Sequence, residues 1–190
     1  MPLRHSLAVA ALVALGTAVP LRAQAAVEAW QIVPQPQSSL VLARDGQLIG
    51  ELGSQFRVNV PIRTLPAYVG EAFIAVEDQR FYKHDGVDVV GMAAAIKDAL
   101  RGHARGASTI TQQLVGNMHP DIINRADRSI ARKIHEQNAA REMERHYDKQ
   151  QILEAYLNQI HFGHGWYGIE EAARHYFGIP AARLSLAQAA

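Results

Sequence analysis

A chain of 190 residues and 20.9 kDa is long enough for one domain with a real core and short for two. Hydrophobic residues make up 48% and charged residues 19%, a balance that excludes a largely disordered chain. The formal net charge of +1 leaves no electrostatic footprint for a nucleic-acid binder, and the absence of Cys excludes disulfide frameworks, thiolate zinc sites and Cys nucleophiles.

Residues 1–25 differ from the rest. Arg4 and His5 precede an apolar stretch over 7–19, and Ala23-Gln24-Ala25 supplies the small-x-small pattern of a signal-peptidase site. The expectation is an exported, periplasmic protein, or one at the outer face of the cytoplasmic membrane. The leader is either cleaved after Ala25 or kept as an N-terminal anchor. Residues 26–39, which bear Pro and Gln, read as a linker, and 40–190 as one domain. The stretches 40–44 and 47–51 flank Asp45-Gly46, a strong hairpin signal, and 56–60 offers a third short strand.

From Pro66 onward helical signals take over. Pro66 opens a helix carrying Ala72, Phe73 and Val76 as far as Arg80, and Asp88 caps a second that Gly102 ends. Ser108 or Thr109 caps a third, with Thr109 and Gln112 at capping-box spacing. Asp127 or Ser129 starts a fourth, and Asp148 a fifth that carries Ile152, Leu153, Tyr156 and Leu157 on one side. Gly163, Gly165 and Gly168 mark a loop, Ile169–Phe177 is helical again, and Ser185 begins a last helix. The expected fold class is mainly α, with a small N-terminal β-hairpin region.

Three clusters can carry chemistry. The first spans 77–86, and on one helix Glu77, Phe81 and His84 would share a face. A carboxylate partly desolvated beside an aromatic ring suits a general base. The alternative is a solvated Glu-Asp pair at a helix end, with a core Phe. The second cluster is Gly106-Ala107-Ser108-Thr109-Ile110-Thr111-Gln112-Gln113, followed by Asn117. Hydroxyls and free N–H groups at a helix start make an anion site; the alternative is an N-cap with a polar outer face. Around it, Arg101, Arg105, Arg125, Arg128, Arg132 and Lys133 outnumber Asp121 and Asp127, which suits a phosphorylated or diphosphate ligand.

The third cluster is Arg132-Lys133-Ile134-His135-Glu136. It is either an i,i+4 pair on an exposed face, or two cations for an anionic leaving group with Glu136 as a second carboxylate facing Glu77. His161 and His164 stand three apart, with no further ligand cluster of recognised spacing, so no metal site is expected.

In this order the three clusters resemble the family 51 glycosyltransferases, the peptidoglycan glycosyltransferases of class A penicillin-binding proteins and of monofunctional cell-wall polymerases. The first motif of that family is matched by Glu77, Asp78, Phe81, His84 and Gly86. The second is matched by Gly106, Ser108, Thr109, Thr111, Gln112 and Gln113, and the third by Arg132, Lys133 and Glu136. The stretch from Gln151 to Asn158 matches the fourth.

The resemblance implies a lysozyme-like helical fold and a hexosyltransferase that polymerises lipid II into glycan strands with inversion. Glu77 would be the general base and undecaprenyl diphosphate the leaving group. Glu136 would be the second acid, while Asp78, Phe81, His84, Ser108, Thr109, Gln112, Gln113, Asn117, Arg132 and Lys133 would bind and position substrate. No cofactor would be required, though Mg²⁺ would suit the diphosphate. The partners implied are lipid II, the growing strand, the membrane surface and a transpeptidase. Alternative readings are a silent module that binds lipid II or glycan, and a lysozyme-like lytic enzyme. Two departures stand out. Gly116 stands where the family has a Lys facing the diphosphate, with Arg105 or Arg125 as candidate substitutes, and the resemblance stops at Ala190 before the family's fifth motif.

Overall fold

A computed structural model describes residues 27–53, 56–103 and 106–190. The leader over 1–25 and Arg105 lie outside the described residues. The chain is mainly α with a small hairpin at its N-terminal side, in keeping with the lysozyme-like helical fold expected. The hairpin joins β1 (Ser39–Leu42) to β2 (Leu48–Leu52) antiparallel around Asp45-Gly46, as the turn signal requires. Helices α1 (Ala67–Glu77), α2 (Val89–Ala99), α3 (Ile110–Met118), α4 (Ile130–His146) and α5 (Lys149–Gln159) follow. After them come α6 (Ile169–Phe177) and the short α7 (Leu186–Ala189).

The expected third strand shrinks to β3 (Phe56–Arg57) and does not extend the hairpin. It pairs in parallel with β4 (Trp166–Tyr167), far along the chain. Buried Arg57 explains this placement. Its guanidinium donates to Gln159 Oε1 at 2.8 Å and lies 5.0 Å from the Tyr167 ring centre, contacts that the far segment supplies. Along the expected linker, Ala29 is buried, Trp30, Ile32 and Val33 pack on the core, and the Trp30 ring stacks on His146.

The helix starts follow local chemistry. Thr109, Ser129, Asp148 and Ser185 each accept a backbone N–H of their own first turn, a contact worth about 1 kcal/mol apiece. The core sits where α5 lays Ile152, Leu153 and Leu157 against α3, each buried aliphatic side chain worth roughly 1.5–3 kcal/mol. The hub is α3, where Ile110, Leu114, Val115 and Met118 are buried, and so are the polar Thr111 and Gln112. Burying polar side chains is tolerable only where each finds a partner. Thr111 therefore donates to Glu144 at 2.5 Å, and Gln112 accepts from Lys133 at 2.9 Å.

Gly86 closes the turn before α2 at φ +81°. A Cβ there would lie 2.6 Å from the Ala140 backbone of α4. Gly46 also has positive φ, at +85°, but nothing lies near its Cβ position. Gly46→Ala should therefore cost about 1–2 kcal/mol of backbone strain. Gly86→Ala should cost more than about 3 kcal/mol, because α4 must also move. Urea unfolding of the two variants checks the difference, and equal losses would contradict the packing described.

Candidate active site

The placement of Glu77 begins with its neighbour. Asp78 leaves α1 and buries its carboxylate against the start of α3, where it accepts the backbone N–H of Ile110 at 3.1 Å. That N–H is one of the donors a helix cannot satisfy from within, and the helix dipole favours an anion there. His84 Nε2 comes to 3.0 Å from the same carboxylate. With Asp78 pinned to the first residue of α3, Glu77 falls beside the next turn. Gln113 Nε2 there donates to Glu77 Oε2 at 2.8 Å.

Gln113 is itself held, because Tyr156 O–H donates to its Oε1 at 3.3 Å. Burial pushes the Tyr156 phenol well above its ordinary value; nearby Glu77 adds to the shift and Arg125 offsets part of it. The phenol therefore keeps its proton and acts as a donor. Tyr156, Gln113 and Glu77 form a relay that aims the carboxylate.

One geometric expectation fails. α1 ends at Glu77 rather than Arg80, and Phe81–Lys83 is a separate 3-10 turn, so Glu77, Phe81 and His84 share no helix face. The cause is Asp78: a poor helix former that gains a buried bond at α3 by leaving α1. Phe81 turns wholly into the core, where the Lys149 ammonium stands 4.4 Å from its ring centre.

Burial divides the expected site residues in two. Asp78, Phe81, Thr109 and Gln112 are buried, and the His84 side chain is almost so. Thr109 Oγ1 donates to the Gly86 carbonyl at 2.7 Å, and Gln112 Nε2 reaches the same oxygen at 3.3 Å. These residues hold the first motif against α3. Exposed Glu77 and half-buried Ser108, Gln113 and Asn117 remain within reach of a ligand.

The third cluster is not the exposed i,i+4 pair that spacing alone allowed. Glu136 is buried at 3% exposure, and both Arg132 and Lys133 close on its carboxylate. Lys133 Nζ also donates to Ser108 Oγ at 2.9 Å. The result is a clamp: Glu136 fixes two cations, and Lys133 carries their charge to Ser108 on the cleft wall.

Two cavities meet at Glu77 and Gln113. The first, about 370 Å³, adds Ser108 together with Val76 of α1 and Val90, Gly91 and Ala94 of α2. The second, about 430 Å³, adds Asn117, Tyr156, Phe73, His161 and Tyr167. A ligand spanning both would pass directly over the Glu77 carboxylate. Sequence reading missed Tyr156 as a site residue because it falls on the apolar side of α5; a hydroxyl among Ile and Leu was the available signal. Lys149, which ties the His84 carbonyl at 2.7 Å and Glu144 at 2.5 Å, carried no signal.

Comparison with known proteins matches residues 45–190 to the family model described as Transglycosylase. The chain is 42% identical over 156 residues to penicillin-binding protein 1A of Haemophilus influenzae, covering 81% of this chain and 18% of that protein. It is 43% identical over 166 residues to penicillin-binding protein 1A of Aquifex aeolicus, covering 86% and 22%. It is also 41% identical over 155 residues to penicillin-binding protein 1F of Bacillus subtilis, covering 80% and 21%. The chain thus spans about a fifth of the length of these curated relatives.

The two glutamates should respond differently to neutralisation. Glu77→Gln, at an exposed position, should change stability by less than about 0.5 kcal/mol. Glu136→Gln leaves two cations without their buried partner and should cost about 2–3 kcal/mol. Denaturant midpoints of both variants test this.

Proposed function

The chain belongs to the transglycosylase family, and from that membership we propose that it is a peptidoglycan glycosyltransferase polymerising lipid II. The observation that carries the reading is the single exposed carboxylate aimed by Gln113 at the junction of two cavities, with the cations of α4 beside one of them. An acceptor sugar in one cavity and a donor disaccharide in the other bring a hydroxyl and an anomeric carbon together over Glu77. Glu77 takes the hydroxyl proton as that oxygen attacks the anomeric carbon. The bond to the diphosphate breaks on the opposite face, so the centre inverts and undecaprenyl diphosphate leaves with the electron pair.

Ser108, Lys133 and Arg132 stabilise the charge that develops on the leaving diphosphate. Glu136 acts through them as a positioning residue: without its carboxylate the two cations would repel each other and swing out. Asp78, Thr109, Gln112, His84 and Phe81 keep Glu77 and Ser108 in register. A protein-held Mg²⁺ does not fit this donor set. Glu77 takes its hydrogen bond from the Gln113 amide, and among the described residues no three His, Cys, Asp or Glu side chains gather as ligands. The proposed chemistry runs on the protein's own cations.

The substrate's lipid tail approaches over α2 and the end of α1. α2 exposes Val89, Val90 and Ile96, its C-cap Leu100 is exposed too, and α1 exposes Val76; Val76 and Val90 also line the first cavity. No helix of the described residues is long and apolar enough to cross a membrane. The apolar face of α2 instead suits lying on a bilayer, which supports the reading that the protein works at a membrane surface. The uncross-linked product strand is what a transpeptidase partner would use.

Full-length protein incubated with labelled lipid II should yield glycan strands, and Glu77→Gln should reduce the rate by about 10²–10⁴-fold. Saturable lipid II binding without polymer from the wild type would instead identify a silent binding module. Co-sedimentation with anionic vesicles should fall several-fold in the Ile96→Ser/Leu100→Ser double variant, with its melting temperature unchanged. Undiminished binding would remove α2 from the membrane face.

A further inference from the structure

Gly116 lies on buried α3, one turn beyond Gln112. A Cβ built at Gly116 would fall 2.7 Å from Cδ of Arg125, so any side chain there would collide with the arginine stem. The glycine is what lets Arg125, from the segment between α3 and α4, lie across the helix. Arg125 Nη1 then donates to Asn117 Oδ1, and Asn117 lines the cavity that contains Glu77, Gln113 and Tyr156. Arg125 thus reaches the edge of this cavity through Asn117.

The cations nearby differ in what already occupies them. Arg132 and Lys133 are both engaged by Glu136. Arg125 is exposed and bonded to a neutral amide, and among the described residues no carboxylate pairs with it. Lys133 Nζ meets α3 at Gln112, and Arg125 crosses it at Gly116 to reach Asn117. A diphosphate has two phosphates to neutralise, and a planar guanidinium suits two oxygens of one of them at once.

We propose that Arg125, laid across Gly116, is a binding residue for the substrate's diphosphate, so that this chain supplies from a connecting segment a charge that α3 itself does not carry. The proposal rests on the glycosyltransferase reading for the identity of the substrate, and on the geometry alone for the identity of the residue. Arg125→Gln keeps a polar contact to Asn117 but removes the cation. Gly116→Lys/Arg125→Ala, which removes the Cγ and Cδ that stand against Gly116, puts the charge on α3 in the space that the arginine stem vacates.

The test measures lipid II polymerisation and, separately, binding of labelled lipid II by the full chain, with melting temperatures as the folding control. Arg125→Gln should weaken binding and lower kcat/KM by about 10–100-fold at unchanged melting temperature, the range for losing one charge-assisted contact. The double variant should recover to within about fivefold of wild type, which a merely structural arginine would not allow. Single-variant values within twofold of wild type, or a double variant no better than the single, would overturn the proposal. If the wild type makes no polymer, the glycosyltransferase reading fails. The binding series alone then decides Arg125: a rescued tenfold loss supports it and an unchanged affinity overturns it.

Discussion

The hydrogen bond from the Ile110 N–H to the Asp78 carboxylate is the contact on which the site depends. It satisfies a donor that α3 cannot satisfy internally, and it does so with an anion in a buried setting, where both dipole and dielectric favour it. Because Asp78 and Glu77 are adjacent in sequence, fixing one fixes the other. Burial of a structural acid thereby delivers an exposed acid to the turn of α3 that holds Gln113. The two carboxylates differ in setting: one is buried and serves the fold, and the other is exposed with no ion-pair partner among the described residues.

The same division recurs across the cleft. Buried Glu136 is balanced by Arg132 and Lys133, of which Lys133 still reaches Ser108, and buried Thr111 is satisfied by Glu144, which Lys149 in turn neutralises. A polar helix at the centre of a small globule needs such a ring of partners, since an unmet buried hydroxyl or amide costs on the order of 1–3 kcal/mol. The motif residues are spread over four helices because the partners of α3 must approach it from several directions. Their density reflects the upkeep of that buried polar helix.

Much of this was legible in the sequence wherever the cause is local. Asp45-Gly46 marked the hairpin, and Thr109, Ser129, Asp148 and Ser185 marked helix starts, because turn and cap chemistry act within three or four residues. Of the expected site residues, Glu77, Ser108, Gln113 and Asn117 line the cleft. What could not be read was anything decided by a distant partner. The break after Glu77 depends on Ile110, the parallel β3–β4 pair depends on Arg57 meeting Gln159, and Tyr156 looks like a core residue until Gln113 is beside it. Spacing on an assumed helix put Glu77, Phe81 and His84 on one face; a tertiary hydrogen bond overrode that periodicity.

The β3–β4 pair also bears on how the molecule assembles. The Arg57–Gln159 contact closes a chain segment of 102 residues, whereas the α3–α4 contacts through Lys133 close segments of 21 and 25. Loop-closure entropy and contact order make the short closures faster, so the cation-bearing wall can form while the N-terminal strand is still searching. The wall built from Tyr167 and the end of α5 is completed last. The cleft thus has an early-folding side that carries the charge and a late-folding side that carries the aromatic rings, and hydrogen exchange should find the second side opening first.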